Sequence, residues 1–383
     1  MRGSQRYPYI RGAAATAFGK LPGNDALSLQ SEAARRALDD AELLPKEVDA
    51  VICGYATTNP HLMSAGLLAE RLGLRPPVAF GTSAGGATGL IMVAQACELV
   101  RSGTAHNILV VAGENRATGR ARQATTDILA QVGHPTYEVP LGATIPGYYA
   151  LLASRYLWEH DLPDDALAGL AVQMRANAAM TDGAHFREAI TIDDVMASRP
   201  VALPLHLLDC CPMSDGGAAV VVSSRSKGPR SVAVRGVGQA NEHQHLCSMD
   251  PRRIGARVAS HRALKTASMS MFDIDVFGIY DSFTITLAMI LEDLELATAG
   301  HAGDEARRGA YAHDGRHPTN THGGLLSYGH SGAAGGMTQL IEIVTQLRHE
   351  AGTRQIRRCA RGYAHAEGGV LSAHVGVVVE VDT

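Results

Sequence analysis

The alternation of apolar and polar positions divides the chain into short helices and buried strands. Apolar positions recur at helical spacing over residues 27–43, and a short apolar run over residues 49–55 predicts a buried strand. The same order continues with a helix over 61–74, a strand over 78–80, a glycine-rich turn at 85–89 that opens a helix to about residue 101, and a strand over 106–113. This alternation predicts an α/β fold.

The second part of the chain repeats that order. It contains a helix-like segment over 257–268, a strand over 273–280, a helix over 284–296, a glycine-rich turn at 329–336 that opens a helix to about residue 349, and a strand over 374–381. Both parts therefore run helix, strand, helix, glycine-rich turn, helix, strand, which indicates an internal duplication with a period longer than that of any solenoid. Either half alone would expose one face of its sheet, so we expect the halves to pack together.

The duplication suggests where the chain divides. We expect an N-terminal half made of residues 1–114 and 206–225, completed by an apolar strand at 218–222. Residues 115–205, rich in Arg, Thr and Ala, are expected to form an inserted, mostly helical loop region. Residues 226–383 are expected to form the C-terminal half.

Composition excludes several classes of partner. The 383 residues carry 34 basic and 38 acidic side chains, a net charge of −4, which argues against binding to nucleic acid or to an anionic membrane. No apolar run approaches the ~18 residues of a membrane helix, and no apolar signal region follows the first residues. The six cysteines form no Cys-x-x-Cys pair, so we expect a reduced, cytoplasmic protein without a metal site. His243 and His245 alternate like metal ligands but lack a third, which favours a surface loop.

Two glycine-rich segments carry candidate chemistry. The turn at 85–89 opens a helix, where free N–H groups favour an anion or a developing oxyanion, although tight strand–helix packing would explain the glycines equally well. Residues 320–330 hold two histidines, a tyrosine and three glycines. Histidine and tyrosine are common proton-transfer and oxyanion-stabilising groups. The alternative for His330 is a helix cap or a loop hydrogen bond.

Two further segments are weaker candidates. Tyr280 ends a predicted strand, and ligands of open α/β sheets bind outside the carboxyl ends of strands, although packing would also explain a tyrosine there. Residues 365–369 form a second loop with histidine and glycine, for which a β-turn before the last strand is the alternative.

These motifs carry a family resemblance. Residues 323–336 resemble the glycine-histidine-proline signature of the thiolase superfamily, with Ser331 at the proline position. Residues 207–222, 280–283 and 365–369 are similar to its sterol-carrier-protein-thiolase branch. The resemblance covers nearly the whole chain. It implies a duplicated five-layer αβαβα thiolase fold, a homodimer, and acyl-CoA thioester substrates with no cofactor other than the CoA of the substrate.

The nucleophile of the family is missing. Thiolases use a cysteine at a helix N-terminus, where the helix dipole lowers its pKa. The best register places Gly86 at that position, and a shifted register would place Thr82 or Ser83 there. None of these three residues offers a thiol.

Other positions of the family also differ. The second thiolase cysteine corresponds to about Ala366, the strand-end Asn or His to Tyr280, and the asparagine of the Asn-Gly-Gly turn to His322. Only His330 remains of the ordinary catalytic set. Without a thiol there is no acyl-enzyme, so we expect different carbon–carbon chemistry.

The resemblance includes steroid side-chain-cleaving aldolases, which work with a small partner carrying an OB-fold and usually a zinc ribbon. Retro-aldol cleavage of a β-hydroxyacyl-CoA requires a base, an acid and donors that hold the thioester enolate. We expect Tyr280 and Tyr328 to be acid/base and enolate-contacting groups. His330 would donate to the thioester oxygen, with His365 in support.

Motif positions also suggest substrate contacts, and they leave alternatives open. We expect Gly86, His322, Ser331 and Gly368 to contact the substrate. Tyr328→Phe should then abolish cleavage and leave the fold intact. The open alternatives are a thiolase or acyltransferase that uses another residue, and a non-catalytic subunit that binds acyl-CoA.

Overall fold

The computed structural model describes residues 7–119, 122–142 and 144–382. The first part of the chain alternates strands and helices. These are β1 (Tyr9–Ala15), α1 (Ala26–Ala41), β2 (Ala50–Gly54), α2 (Ser64–Leu72), β3 (Val78–Thr82), α3 (Thr88–Ser102) and β4 (Asn107–Asn115). The helices and strands predicted for this part are confirmed, with shifts of a few residues at their ends, whereas β1 was not predicted.

The stretch after β4 combines helices with connecting loops and short strands. Its elements are α4 (Arg122–Ala130), α5 (Ile145–Glu159), α6 (Ala168–Ala179), α7 (Ile192–Ala197) and the short strands β5 (Pro200–Ala202) and β6 (Leu205–His206). Helix α6 packs against helices of the C-terminal part of the chain.

The remaining elements complete both halves. They are β7 (Asp215–Ser223), β8 (Val232–Asn241), α8 (Ala256–Ala267), β9 (Val276–Gly278), α9 (Thr284–Asp293), α10 (Ala302–Arg307), α11 (Gly324–Ser327), α12 (Ala333–Leu347), β10 (Arg361–Gly368) and β11 (Ala373–Val381). The loop predicted at residues 365–369 is wrong, because strand β10 runs through it to Gly368. The small residues of β10 resemble a turn in sequence, but the strand is held between β9 and β11, and such packing outweighs local propensity.

The sheet shows the duplication directly. Over the residues that the structure describes, it has nine strands in the order β3-β2-β4-β7-β1-β8-β11-β10-β9. The two halves meet at a short antiparallel pairing in which Tyr9 lies opposite Ala233 and Ile10 opposite Val232. Moving outward from this junction, β1, β7, β4 and β2 correspond to β8, β11, β10 and β9.

Strands β1 and β8, which pair at the junction, were not predicted from the sequence pattern, and close packing explains why. A Cβ atom added to Gly12 of β1 would overlap the carbonyl oxygen of Ala37 in α1. A Cβ atom added to Gly236 of β8 would overlap the carbonyl oxygen of Ala263 in α8 in the same way. Each strand therefore has a glycine in place of an apolar residue, because a helix approaches its backbone closely at that position.

The layers follow from these contacts. Helices α3 and α12 pack on each other and on strands of both halves, so they form the central layer. Helices α1 and α2 cover the outer face of the first half, and α8 covers the second. The predicted five-layer thiolase fold is confirmed. Within the described ranges, no helix is long and apolar enough to cross a bilayer.

Candidate active site

One cavity is lined by the candidate turns that were identified in the sequence. It has a volume of about 570 Å³ and lies where the turn before α3, the segment after β9, the segment before α12 and the end of β10 converge. Side chains of α5 and of the segment after β4 complete its wall. A cavity of this size, lined by apolar groups and a few convergent polar ones, is typical of a ligand site.

A tyrosine and a histidine meet in this cavity. The hydroxyl oxygen of Tyr280 lies 2.8 Å from Nε2 of His330. The N–H of Gly332 donates to Nδ1 of the same ring at 3.2 Å, so Nε2 carries the hydrogen and donates it to Tyr280. The phenolic proton of Tyr280 then remains available to an acceptor in the cavity.

Burial keeps both of these groups neutral. Burial, together with the positive charge of Arg116, lowers the pKa of His330 to about 3. Burial also raises the pKa of Tyr280 well above its usual value, with the negative charge of Glu367 adding to the effect. The pair is therefore a neutral hydrogen-bond donor unit suited to an oxyanion or to proton donation.

The phenol of Tyr280 occupies the place of the missing nucleophile. A Cβ atom added to Gly86 would overlap the hydroxyl oxygen of Tyr280 and lie 2.5 Å from the carbonyl oxygen of Glu367. Thr82 and Ser83, the positions of the shifted registers, line a different cavity. Gly86 is thus the position that faces Tyr280, and it has no room for a side chain.

Glu367 is a site residue that sequence reasoning missed. Its Oε1 accepts a hydrogen bond from the Tyr149 hydroxyl at 2.6 Å, and its Oε2 accepts one from the Leu371 N–H at 3.1 Å. Burial raises the pKa of this carboxyl group to about 7. The signal that could have identified it is a single acidic residue between small residues, Ala366 and Gly368, close to the end of a strand.

Two arginines of the cavity wall were also missed. Arg116 donates two hydrogen bonds to Glu114, at 2.7 and 3.1 Å, in a buried ion pair. Arg175 donates to the Ser327 hydroxyl at 3.0 Å and to the Glu188 carbonyl at 3.2 Å. Both lie outside the recognisable motifs, so spacing alone could not single them out.

The structure does not bring Tyr328 and His322 to the cavity wall. The Tyr328 hydroxyl lies 3.5 Å from the carbonyl oxygen of Thr16, and its ring packs between Phe18 and His322 at centroid distances of 5.0 and 4.9 Å. Nε2 of His322 lies 3.4 Å from the Thr338 hydroxyl. Both side chains are buried and pack in the core.

Three further expected residues also lie away from the cavity lining. Nε2 of His365 is 3.1 Å from Nδ1 of His374, inside the core. The Ser331 hydroxyl donates to the Gly216 carbonyl at 2.9 Å. Gly368 packs behind the turn at Gly85. Of the four residues expected to contact substrate, Gly86 lines the described cavity wall and the other three do not.

Two cysteines line the cavity. Burial raises the pKa of the Cys211 thiol well above its usual value, and its neighbour Cys210 lies beside it. His243, by contrast, contacts the Val370 carbonyl, and His245 packs on His134. Among the described residues no three His, Cys, Asp or Glu side chains are placed to hold a metal ion.

Comparisons with known proteins agree with the fold. The model of the thiolase N-terminal domain matches residues 9–226, and that of the thiolase C-terminal domain-like family matches residues 238–381. An acetyl-CoA acetyltransferase of Methanothermobacter thermautotrophicus is 32% identical over 96% of this chain and 98% of its own length. A steroid side-chain-cleaving aldolase of Thermomonospora curvata is 30% identical over 88% of this chain and 89% of its own.

A solved structure extends the similarity to three dimensions. The Ltp2-ChsH2(DUF35) aldolase superposes with a TM-score of 0.83 at 27% identity, over 98% of both chains. The duplicated sheet, the central helix pair and the two family matches describe one and the same architecture. The chain belongs to the thiolase superfamily.

Proposed function

We propose that this protein is a lyase that cleaves a carbon–carbon bond of a β-hydroxyacyl-CoA by a retro-aldol reaction, without an acyl-enzyme. The observation that carries the proposal is the phenol of Tyr280, which fills the space beside Gly86 where a nucleophile would project. An acyl-enzyme requires a nucleophile at that point, whereas a retro-aldol reaction requires a proton donor.

The hydrogen bonds around Tyr280 support this chemistry. His330 donates to the phenol oxygen and so stabilises the negative charge that develops when Tyr280 gives its proton to the enolate. His330 then acts through Tyr280 instead of binding the thioester oxygen itself. The fixed positive charge of Arg116 in the same cavity adds to this stabilisation.

Acyl transfer is the second candidate. It is favoured by the relative that is an acetyl-CoA acetyltransferase and by the cysteines of the cavity wall. The raised pKa of Cys211 argues against it, because the thiolate and not the thiol is the nucleophile. The neighbouring Cys210 and Asp281 side chains raise this pKa further.

Two parallel reactions test the proposal. One contains the protein with a steroid acyl-CoA that has a tertiary hydroxyl group on its β-carbon, and mass spectrometry follows the ketone and the shorter acyl-CoA. The other contains acetoacetyl-CoA and free CoA. Cleavage in the first reaction alone supports the lyase. Acetyl-CoA in the second alone overturns it in favour of acyl transfer, and binding without turnover in both favours a scaffold.

The assembly is part of the proposal. We propose that the chain acts as a homodimer with a small OB-fold partner that carries a zinc ribbon. The support is the family resemblance and the similar Ltp2-ChsH2(DUF35) aldolase. The molar mass of the chain purified alone and after co-expression with an adjacent OB-fold gene tests both parts. A monomer that recruits no partner and still cleaves the substrate would contradict them.

A further inference from the structure

The proposed reaction lacks a base if only the motif residues are considered. Tyr328, expected as one of the acid/base groups, points its hydroxyl at the Thr16 carbonyl in the core. His330 has both ring nitrogens engaged, since Nδ1 accepts from Gly332 and Nε2 donates to Tyr280. The substrate hydroxyl proton therefore needs another acceptor at the cavity.

Glu367 supplies the one carboxylate on the described wall of this cavity. Each of its oxygens accepts a single hydrogen bond, from Tyr149 and from the Leu371 N–H, so each keeps a lone pair for another proton. The ring of Tyr149 stacks on Phe283 with a centroid distance of 4.4 Å, which fixes the direction of its hydroxyl group.

Glu367 and Tyr280 border the same small space. A Cβ atom on Gly86 would meet the Tyr280 hydroxyl and the Glu367 backbone together. The two side chains also interact electrostatically, because the Glu367 charge raises the pKa of Tyr280. A substrate in this cavity would thus lie beside Tyr280 and Glu367, which line the same wall.

We propose that Glu367 is the general base of the lyase reaction and that Tyr149 positions it; this inference rests on the proposed function. The Glu367 carboxylate takes the β-hydroxyl proton, and the freed electron pair forms the ketone carbonyl. The bond between Cα and Cβ breaks, and its electron pair forms the thioester enolate. Tyr280 then protonates the enolate carbon, and the proton on Glu367 returns to the Tyr280 phenolate. No oxidant, water or other reactant is consumed.

The electrostatics agree with this division of roles. Burial raises the pKa of Glu367 to about 7, which suits a base that works near neutral pH, while Tyr280 stays protonated. Pairs of titratable groups with widely separated pKa values commonly divide into an acid and a base. Cleavage should therefore rise with pH through about 7.

A matched pair of variants tests the base. Glu292 is a half-buried carboxyl group whose pKa is also raised to about 7 by burial, but it accepts a hydrogen bond from Tyr156 and lies off the cavity wall. Glu367→Gln should lower kcat by at least ~100-fold with acyl-CoA binding retained, whereas Glu292→Gln should keep the parent kcat. Parent-like cleavage by Glu367→Gln overturns the inference alone and leaves the proposed function standing.

Tyr149→Phe tests the positioning role through the pH profile. The Tyr149 hydroxyl bond lowers the pKa of Glu367, so its loss should raise that pKa and move the acidic limb of kcat to higher pH. At alkaline pH the variant should recover most of the parent rate. A limb that stays in place contradicts the role of Tyr149, because a purely structural defect would lower the rate at every pH.

A titration without substrate separates the two possible failures. In Glu292→Gln, part of the infrared C=O absorption of protonated carboxyl groups should disappear between about pH 6 and pH 8, and this titrating part should be lost when Glu367→Gln is added. If the parent protein cleaves no β-hydroxyacyl-CoA, the proposed function fails. If the parent cleaves and no such band titrates, the assignment of Glu367 as base fails.

Discussion

Helices α3 and α12 correspond to each other in the two halves, but the residues that precede them contribute differently to the cavity. Helix α3 of the first half is preceded by Gly85 and Gly86, which offer only backbone. Helix α12 of the second half is preceded by His330, and the segment after β9 adds Tyr280. The side chains of Tyr280 and His330 in the second half therefore fill the space that Gly85 and Gly86 of the first half leave open. A duplicated fold thus supplies two helix N-termini, and the side chain that occupies the shared space decides the chemistry.

The central layer makes this arrangement rigid. A Cβ atom on Gly89 of α3 would lie 2.5 Å from Cγ of Met337 in α12, so the two helices are in close contact through a glycine. Because packed interiors relax little, α3 cannot move aside to admit a side chain at Gly86. A thiol at this position and the phenol of Tyr280 therefore exclude one another.

The largest expected effect is the loss of the phenol. Tyr280→Phe removes the proton donor and leaves the Nε2–H of His330 without its acceptor. The value of kcat/KM for cleavage should fall by roughly 10²–10⁴-fold. Acyl-CoA binding, followed by calorimetry, should stay close to that of the parent. A variant with parent-like cleavage would remove the basis of the proposed function.

The next test places a thiol in the first half. Gly86→Cys should show no thiolysis of acetoacetyl-CoA and should destabilise the fold by about 1–3 kcal/mol, because the new side chain overlaps Tyr280. Gly66→Cys is the matched control, since no atom lies within 4 Å of a Cβ built there. Thermal unfolding and acetyl-CoA formation are the two measurements.

A double variant sharpens the same test. Adding Tyr280→Ala to Gly86→Cys vacates the space, so the two substitutions should be less destabilising together than their sum by roughly 0.5–3 kcal/mol. Strict additivity would mean that the two positions do not compete for this space. Thiolysis by Gly86→Cys alone would likewise contradict the comparison of the two halves.

A smaller effect is expected at His330. In His330→Gln the amide can still donate to Tyr280, so cleavage should fall less than in Tyr280→Phe, by about tenfold. The folded pKa of His330 lies near 3, below its unfolded value of about 6.5, so this group contributes stability that is lost as pH falls through that window.

The same variant therefore has a signature in its stability. Relative to the parent, His330→Gln should flatten the pH dependence of the free energy of unfolding between about pH 3 and 6.5, by up to ~1.4 kcal/mol per pH unit. Glu292 and Glu367 have folded pKa values raised to about 7, so they make the free energy of unfolding fall as pH rises towards 7. This contribution is the same in the parent and the variant, so it cancels in the difference between them. Parallel curves from urea titrations would show that the pKa of His330 is the same in the folded and unfolded states.

The smallest effect is expected at Tyr328, in contrast to the expectation from the motif. Tyr328→Phe removes one long hydrogen bond to the Thr16 carbonyl and leaves the ring contacts with Phe18 and His322 in place. Stability should fall by about 1 kcal/mol or less, and cleavage should stay within a few-fold of the parent. Loss of cleavage in a variant with a native fold would show that Tyr328 takes part in catalysis.

Much of the fold follows from local patterns. The helices and buried strands of both halves appear in the sequence as periodicity, and their repetition gives the duplication. Strands β1, β8 and β10 were not predicted. Close packing against helices or neighbouring strands requires Gly and Ala there, in place of the residues that usually identify a strand. For these strands the tertiary contact, and not the local propensity, explains the residue.

The sequence by itself determined the family resemblance, the absence of a thiol at Gly86 and the presence of Tyr280 and His330 in motif positions. Only the tertiary structure decided which neighbours share the cavity. In residues 320–330, the positive φ angles of Gly323, Gly324 and Gly329 redirect the backbone, so His330 faces Tyr280 while Tyr328 turns into the core. Spacing along a chain cannot specify such directions, because each turn with positive φ changes the side-chain orientation of every residue after it.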